Sequence, residues 1–315
     1  MLDYEIAPAT MTEHKSMKDI ATMSKEEVLK FINSFDTIIS DCDGVLWVFG
    51  NPIAGSPATI NKLMSLGKKV LLMTNNAIIS VQQYVKICRV LGMAIPEEDI
   101  FTPATAIARF LEAQDLARTG GEVFVLGSAA LKAHLQQRGL RCSDTSVAVL
   151  PEELGVLTAE LNKLSTDVRA VCVDTDINLS YLNLMKAARH LRDPECLFVV
   201  GATDANIPIT EKDVYIGPGY FVSVLQDHTG RVPTVVGKPS RFLADSIVQE
   251  RGLDPARTLF IGDSLLQDIS LGRTAGFQTL LVLSGCSRLA EVQADTRPDY
   301  YISSLSALLP LLPGN

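Results

Sequence analysis

Residues 37–47, TIISDCDGVLW, carry the strongest structural signal in the chain, because an apolar run leads there directly into Asp41, Asp43 and Gly44. A short apolar run of this kind predicts a buried strand over residues 37–40. In an extended segment, side chains two positions apart point to the same side. Asp41 and Asp43 can therefore flank one substrate atom, so that one attacks it while the other protonates the leaving oxygen.

Apolar strands alternate with amphipathic helices on both sides of this stretch. Ser24 and Glu27 have the spacing of a capping box, which predicts a helix start. Further strands are predicted at 69–73, 234–236, 258–261 and 279–283, with helical patterns between them. Continuous apolar strands that alternate with helices indicate a parallel sheet covered on both faces. We therefore predict an α/β protein with a doubly wound, Rossmann-like parallel-sheet core.

The segment between the two blocks of this pattern is too long to be a loop. Strands and helices of its own are predicted at 122–126, 129–139, 170–173, 181–191 and 196–200. An insertion with this many elements can bury its own core. The predicted organisation is an N-terminal tail at 1–23, a core domain of 24–119 and 233–315, and a large inserted α/β domain at 120–232.

Composition narrows the class of protein further. A chain of 315 residues with a net charge of −8 is long enough for two domains and has no broad basic surface for nucleic acid. No apolar run approaches the roughly 18 residues of a membrane span, and the N-terminus does not resemble a secretory signal. Six cysteines without a CxxC pair favour a reducing, cytoplasmic location, and four scattered histidines argue against zinc. We expect neither nucleic acid nor membrane as a partner.

Polar residues follow four of the predicted core strands at the point where each ends. They are Asp41, Asp43 and Gly44; Thr74, Asn75 and Asn76; Lys238 after Gly237; and Asp263 after Gly262, with Asp268 five residues later. Ligands of open parallel sheets bind beyond the carboxyl ends of the strands. The sequence therefore predicts that these side chains converge on one crevice.

The predicted set of side chains suits the chemistry of a phosphoryl group. Asp41, Asp43 and Asp263 offer hard oxygen ligands, which favour Mg²⁺ over zinc. Thr74 and Lys238 offer a hydrogen-bond donor and a positive charge for an anion held beside the metal. A carboxylate can also act as the nucleophile, through an aspartyl-phosphate.

The four motifs resemble, in order, those of the haloacid dehalogenase superfamily. The resemblance is greatest to its branch of 4-nitrophenylphosphatases, pyridoxal phosphatase and phosphoglycolate phosphatase, and it extends from Phe35 to the C-terminus. It implies a Mg²⁺-dependent phosphatase that hydrolyses small phosphomonoesters. The inserted segment resembles the cap domain of these enzymes, which closes over the site, and the resemblance implies a homodimer formed through that cap.

The resemblance also implies a role for each motif residue. Asp41 is the nucleophile and a metal ligand, Asp43 is the general acid and base and binds metal through its backbone carbonyl, and Asp263 is the third metal ligand. Asp268 does not bind the metal itself and instead supports either the water molecules bound to the metal or Lys238. The resemblance assigns substrate binding to Gly44, Thr74, Asn75, Asn76 and Lys238, and it counts Lys238 among the catalytic residues together with Asp41 and Asp43.

Several positions depart from the family pattern and concern specificity. They are Ala77, Asn178, Gly201, Ala202 and Ser264, where relatives commonly carry other residues. These departures leave two alternatives to a metabolite phosphatase. One is a catalytically silent member that binds a phosphate ligand or a protein, and the other is a phosphatase acting on a phosphoprotein.

Overall fold

The computed structural model describes residues 17–48, 50–145, 149–208 and 214–314. Within these ranges the chain forms two parallel sheets flanked by helices, which confirms the predicted α/β class. The helices that accompany these sheets are Lys25–Asn33, Ser56–Ser65, Val81–Val90, Pro103–Ala113, Leu116–Thr119, Ala129–Gln137, Leu154–Leu161, Tyr181–His190, Pro218–Thr229, Arg241–Arg251 and Ser270–Thr274. Among the described residues, no helix combines the length and the hydropathy needed to cross a bilayer.

The larger sheet has seven strands, and every neighbouring pair is parallel. Across the sheet the strands are Lys18–Asp19, Tyr300–Ile302, Gln278–Val282, Thr258–Gly262, Thr37–Ser40, Lys69–Met73 and Ile100–Phe101. The chain adds strands to one side of Thr37–Ser40 and then returns to add strands on its other side. Such a reversal defines a doubly wound sheet and opens a crevice at the carboxyl end of the strand where it occurs.

Alternating side chains of the larger sheet enter two separate hydrophobic clusters. Ile38 and Ile261 face one layer of helices, which includes Lys25–Asn33 and Val81–Val90. The capping box predicted at the start of the first of these helices is present, because Ser24 and Glu27 each accept the backbone N–H of the other. This half of the core holds the central strands in a fixed register.

The opposite face of the larger sheet shares its cluster with the inserted segment. Ile39 and Phe260 of the larger sheet belong to the same buried cluster as Val125 and Val199, which lie in the second sheet. Helix Pro103–Ala113 contributes Ile107 and Leu111 to this cluster as well. The two sheets are thus joined by continuous apolar packing.

The second sheet has five parallel strands and its own outer layer. Its strands, in spatial order, are Thr234–Val235, Leu197–Val200, Val168–Val173, Glu122–Leu126 and Arg141–Cys142. Its outward-facing side chains pack with helices Tyr181–His190 and Pro218–Thr229 in a cluster of their own. Two short antiparallel ladders complete the strands, Trp47–Val48 with Asn51–Pro52 and Asn206–Pro208 with Val214–Ile216.

Two expectations about the strands are wrong. Thr234–Val235 pairs with Leu197–Val200 in the second sheet, not with the core sheet to which the pattern assigned it. Lys18–Asp19 pairs with Tyr300–Ile302 and is followed by the fully buried Ile20, so the predicted tail does not include these residues. In both places the strand has only two residues, and its partner is distant in sequence. The earlier part of the predicted tail, residues 1–16, lies outside the described ranges.

Candidate active site

Three of the predicted polar residues emerge side by side from neighbouring strands of the larger sheet. Asp41 follows Thr37–Ser40, Thr74 follows Lys69–Met73, and Asp263 follows Thr258–Gly262. The backbone N–H of Asp41 donates to Ile261 O at 2.8 Å, which continues the ladder between the first and third of these strands. All three side chains are buried. The three side chains therefore meet at the same edge of the sheet, beyond the carboxyl ends of its central strands.

Lys238 reaches this edge from the second sheet. Its Nζ donates to Asp41 Oδ1 at 2.6 Å and to Asp268 Oδ1 at 2.7 Å. The residue is 3% exposed, so both ion pairs are shielded from solvent. The segment that follows strand Thr234–Val235 and the end of core strand Thr37–Ser40 thus meet at one buried ammonium group.

The second carboxylate oxygen of Asp268, Oδ2, is also held by hydrogen bonds. The chain forms a single π-helical segment over Leu265–Ile269, which turns the Asp268 carboxylate back toward the end of the preceding strand. Its Oδ2 accepts the backbone N–H of Asp263 at 3.1 Å and that of Ser264 at 3.0 Å. The carboxylate therefore has a hydrogen-bond partner on each oxygen and acts as a fixed anchor for Lys238.

Asp263 lies against two backbone segments that leave it little room. Its Oδ2 accepts the Cys286 N–H at 2.8 Å. Gly44 has φ +82°, and a Cβ atom at that position would lie 2.3 Å from the same oxygen. Gly44 is therefore needed both for its backbone conformation and for the close approach of the carboxylate.

The carboxylates outnumber the positive charge of the site. One oxygen from each of Asp41, Asp263 and Asp268 lies within 4.8 Å of the others, and Lys238 forms ion pairs with Asp41 and Asp268. Burial raises the pKa of Asp41 well above its usual value, despite the opposing charge of Lys238. Burial, reinforced by Asp268, raises the pKa of Asp263 to about 6. The side chains alone therefore leave negative charge that a bound cation would compensate.

Asp43 stands apart from this carboxylate cluster. Its side chain is half-buried, and its backbone forms a bridge to Trp47 beside the hydrogen bond from Gly44 N to Trp47 O. Burial raises the pKa of Asp43, while Lys238 and a hydrogen bond from the Asn76 side chain act in the opposite direction. The structure thus brings Asp43 to the same crevice without adding its side chain to the acidic group.

The segment of residues 74–77 is a tight loop stabilised by its own side chains. Thr74 Oγ1 accepts the Asn76 N–H at 3.0 Å, and Asn76 Oδ1 accepts the Ile78 N–H at 3.0 Å. Asn75 Oδ1 accepts the Lys238 N–H at 3.2 Å. These bonds fix the conformation of the loop and tie it to the segment that carries Lys238.

Two residues of the inserted segment contact this loop and were not found from sequence. Asn75 Nδ2 donates to Asp204 Oδ2 at 2.9 Å, and Ser128 Oγ donates to Ala77 O at 2.5 Å. Asp204 comes shortly after strand Leu197–Val200, so a search for polar residues beyond the strand ends of the second sheet would have included it. Ser128 reads locally as a helix cap, which it also is.

Most of the positions that depart from the family pattern have local structural roles. Ala77 is buried and offers its carbonyl to Ser128, while Ser264 Oγ accepts the Gln267 N–H at 3.2 Å. A Cβ atom on Gly201 would lie 2.0 Å from Asp174 Oδ2, so any larger residue there would displace a buried carboxyl. Ala202, next to it, is also buried. Asn178 is exposed, and its backbone N–H donates to Asp176.

Comparison with known proteins agrees with this geometry. The family model for haloacid dehalogenase-like hydrolases matches residues 38–141, and a second model, for HAD-hydrolase-like proteins, matches residues 235–308. The human glycerol-3-phosphate phosphatase is 34% identical, with 93% of this chain and 95% of that protein covered. The chloroplastic phosphoglycolate phosphatase 1A of Arabidopsis thaliana is 32% identical, with 96% and 84% covered.

A solved structure extends the comparison to three dimensions. A glycerol phosphate phosphatase from Mycobacterium tuberculosis, in complex with magnesium, superposes with a TM-score of 0.71 at 26% identity, covering 93% of this chain and 79% of that one. Fold, motif order and sequence relatives all agree. The chain therefore belongs to the haloacid dehalogenase-like hydrolases and is one of their phosphatases, as its four motifs indicated.

Proposed function

We propose that this protein hydrolyses small phosphomonoesters in a Mg²⁺-dependent reaction that passes through an aspartyl-phosphate on Asp41. The observation that carries the proposal is the position of the Asp41 carboxylate, buried at the carboxyl end of the central strand with Lys238 at 2.6 Å. A buried carboxylate that is held by one cation and faces a crevice is suited to attack an electrophile brought into that crevice.

In the first step, an Asp41 oxygen forms a bond to phosphorus while the bond from phosphorus to the ester oxygen breaks. Asp43 donates a proton to the departing oxygen, so the alcohol leaves neutral. In the second step, Asp43 accepts a proton from water, and the water oxygen displaces Asp41 from phosphorus to release inorganic phosphate. Burial raises the pKa of Asp43 above its usual value, which makes the protonated form more accessible to a group that must both give and take a proton.

The phosphoryl group would be held by the loop of residues 74–77 and by Lys238. Thr74 and the backbone of Asn75 face the crevice, with Asn76 fixing the loop and Gly44 leaving room beside Asp263. Lys238 supplies the positive charge that an anionic phosphoryl group requires next to Asp41. Its ammonium remains protonated because the Asp268 and Asp41 carboxylates outweigh the effect of burial and raise its pKa.

The same site fits a divalent cation. Asp41 and Asp263 supply carboxylate oxygens, and the backbone carbonyl of Asp43 supplies a third protein ligand in this proposal, all of them hard donors of the kind that Mg²⁺ prefers. The excess of negative charge described above is the second argument, since a doubly charged ion would balance it. Bound Mg²⁺ would neutralise phosphoryl charge as the new bond forms. Asp268, with both oxygens engaged, stays behind Lys238 as its support.

The proposed substrate class is a small phosphorylated metabolite. Two relatives with nearly equal identity to this chain are named for glycerol 3-phosphate and for phosphoglycolate. Both compounds combine a phosphoryl group with a short polar remainder. We therefore propose this class of phosphomonoester, and the substrate panel described below ranks its members.

We propose an inserted domain that begins at residue 120 and extends past the boundary predicted at 232 to include strand Thr234–Val235 of the second sheet, with a homodimer formed through this domain. Exposed apolar side chains on that domain support the dimer, and they lie on strand Val214–Ile216 and helix Pro218–Thr229. A second copy would cover these side chains. Six free cysteines, all within the described ranges, support the proposed cytoplasmic location.

The test is phosphate release from a panel that includes 4-nitrophenyl phosphate, glycerol 3-phosphate, phosphoglycolate and a phosphopeptide. The wild-type protein is assayed with Mg²⁺ or EDTA, beside Asp41→Asn, which keeps the shape of the side chain. We expect turnover that requires both Mg²⁺ and Asp41. Activity of Asp41→Asn near the wild-type level would refute the mechanism, and turnover confined to the phosphopeptide would refute the substrate class.

A second variant tests the proposed acid. Asp43→Asn should slow glycerol 3-phosphate hydrolysis more than 4-nitrophenyl phosphate hydrolysis, because nitrophenolate departs readily without a proton. An equal loss for both substrates would contradict the role of Asp43 as the acid.

A further inference from the structure

The Asn75 side chain links three parts of the active site. Its Oδ1 accepts the Lys238 N–H at 3.2 Å, and its Nδ2 donates to Asp204 Oδ2 at 2.9 Å. Two longer contacts at 3.4 Å join Nδ2 to Lys238 O and to Gln267 Oε1. Of these three acceptors for the amide NH₂ group, Asp204 is the nearest and the one that carries a charge.

Asp204 and the backbone N–H of Lys238 together determine which way the Asn75 amide points. A carboxylate accepts hydrogen bonds and cannot donate them, so it requires the NH₂ group of the amide on its side. The amide oxygen is then directed toward the Lys238 N–H. With the amide reversed, two oxygens would face each other at Asp204, and the Lys238 N–H would face an NH₂ group. One side chain of the inserted domain thus fixes the orientation of a side chain in the loop of residues 74–77.

The backbone of Asp204 is itself held rigidly. Its carbonyl oxygen accepts the Gly219 N–H at 3.0 Å, at the start of helix Pro218–Thr229. The same oxygen lies so close to Gly217 that a Cβ atom there would be 2.0 Å away. The carboxylate is half-buried, and burial raises its pKa, while the hydrogen bond from Asn75 and the charge of Lys238 favour the ionised form. A carboxylate placed in this way is stabilised by the contacts that it makes with the loop.

A second residue of the inserted domain holds the other end of the loop. Ser128 Oγ donates to Ala77 O at 2.5 Å, while the Ser128 oxygen also accepts the N–H of Leu131 at the start of helix Ala129–Gln137. The loop is thus tied to the inserted domain at residues 75 and 77. Its conformation depends on a domain that would otherwise be assigned only to the choice of leaving group.

We propose that Asp204 is a positioning residue for the reaction, acting through Asn75 to hold the loop of residues 74–77 in the conformation that binds the phosphoryl group. This inference rests on the proposed function, since it takes that loop as the phosphoryl site. It makes a specific claim about the inserted domain. Loss of Asp204 weakens binding of the group common to all substrates, whatever the leaving group.

The experiment compares Asp204→Ala and Asp204→Asn with the wild-type protein. Steady-state kinetics are measured with 4-nitrophenyl phosphate and glycerol 3-phosphate, together with the inhibition constant of inorganic phosphate. Asp204→Ala should lower kcat/KM by about 10- to 100-fold, the range for a lost hydrogen bond to a charged group. The factor should be the same for both substrates, and the phosphate inhibition constant should rise. Asp204→Asn, which keeps an oxygen acceptor for Asn75, should recover most of the loss.

Asp193→Ala serves as the matched control. Asp193 is an exposed carboxylate of the same domain that lies just before strand Leu197–Val200, at the opposite end from Asp204, and its side chain accepts the Glu195 N–H. It should leave kcat/KM and phosphate inhibition at wild-type values. If Asp204→Ala does not fold, Asn75→Ala replaces it, because it removes the other partner of the same hydrogen bond. It should show an equal loss of kcat/KM for both substrates and a rise in the phosphate inhibition constant, and a loss confined to one substrate would contradict the inference.

Three results would overturn the inference. A loss confined to one substrate, with unchanged phosphate inhibition, would make Asp204 a leaving-group contact. Equal losses in Asp204→Ala and Asp204→Asn would mean that its charge matters and the hydrogen bond does not. Wild-type kinetics in Asp204→Ala would mean that it has no role. Absence of any Asp41-dependent turnover in the wild-type protein is a separate outcome, because it refutes the proposed function, and phosphate binding measured by calorimetry then decides the role of Asp204.

Discussion

Replacing Asp174 with asparagine should change how the stability of the protein depends on pH. Asp174 follows strand Val168–Val173 in the second sheet and is fully buried. Its Oδ1 accepts the Thr175 N–H at 2.6 Å, but its Oδ2 has no hydrogen-bond partner. Burial, reinforced by the nearby Asp204 carboxylate, raises the pKa of Asp174 to about 7, against an ordinary value of 3.8.

The sign of the effect follows from proton binding. Between the ordinary pKa of 3.8 and the folded-state pKa of about 7, the folded protein holds a proton on Asp174 that the unfolded chain has released. Stability therefore falls as the pH rises through this window and levels off above it. The full cost of ionising Asp174 in the folded protein is on the order of 4 kcal/mol, from 1.36 kcal/mol for each unit of pKa. Between about pH 5 and about pH 8, roughly 2 to 3 kcal/mol of it accumulates.

The assay is urea unfolding of the wild-type protein and Asp174→Asn across that pH range. The free energy of unfolding of the variant, relative to wild type, should rise by the amount just given, because asparagine does not titrate. Asp174→Ala is the control for packing, since its cavity lowers stability at every pH but leaves the same pH-dependent difference. Parallel curves for wild type and Asp174→Asn would refute the reasoning, because they would mean that Asp174 is ionised in the folded protein without cost.

Three other predictions concern different parts of the molecule. Gly44→Ala should lower the free energy of unfolding by about 1 to 3 kcal/mol and remove most of the activity, because the added Cβ would displace Asp263. Urea unfolding measures the first effect and phosphate release the second, and a fully active variant would contradict the prediction. Phe260→Ala should lower the free energy of unfolding by about 3 to 5 kcal/mol. The far-UV and near-UV circular dichroism signals should still change in one transition, because the cluster that contains Phe260 joins both sheets, and two separated transitions would count against this. Asp263→Asn should abolish the rise in Tm that Mg²⁺ gives the wild-type protein, as scanning calorimetry would show, and an undiminished rise would exclude Asp263 as a ligand.

The sequence was most informative where a short pattern determines structure by itself. An apolar strand followed by a polar residue is a local signal, and the crevice formed by Asp41, Thr74 and Asp263 followed from the rule that parallel strands end at one edge. The positive φ at Gly44 fits the same kind of signal, since the residue after Asp43 must turn sharply.

The sequence was least informative where structure depends on partners far along the chain. Thr234–Val235 has the composition of a core strand, but only its register with Val199 and Val200 shows which sheet contains it. The bond between Asn75 and Asp204 joins residues 129 positions apart, and neither residue has a local pattern that selects the other. A dipeptide strand such as Lys18–Asp19 is too short to produce a periodic signal at all.

The pairing of Thr234–Val235 with the second sheet limits which segments can be exchanged between this protein and its relatives in chimeras. Lys238 lies three residues beyond an edge strand that is paired only with the inserted sheet, yet its ammonium contacts Asp41 and Asp268 of the core. An inserted domain transplanted from a relative would have to bring a strand equivalent to Leu197–Val200 that pairs with residues 234–235, or the lysine would lose its support. In chimeras, the exchanged segment should therefore extend through residue 239, so that the donor supplies both the strand and the lysine it carries.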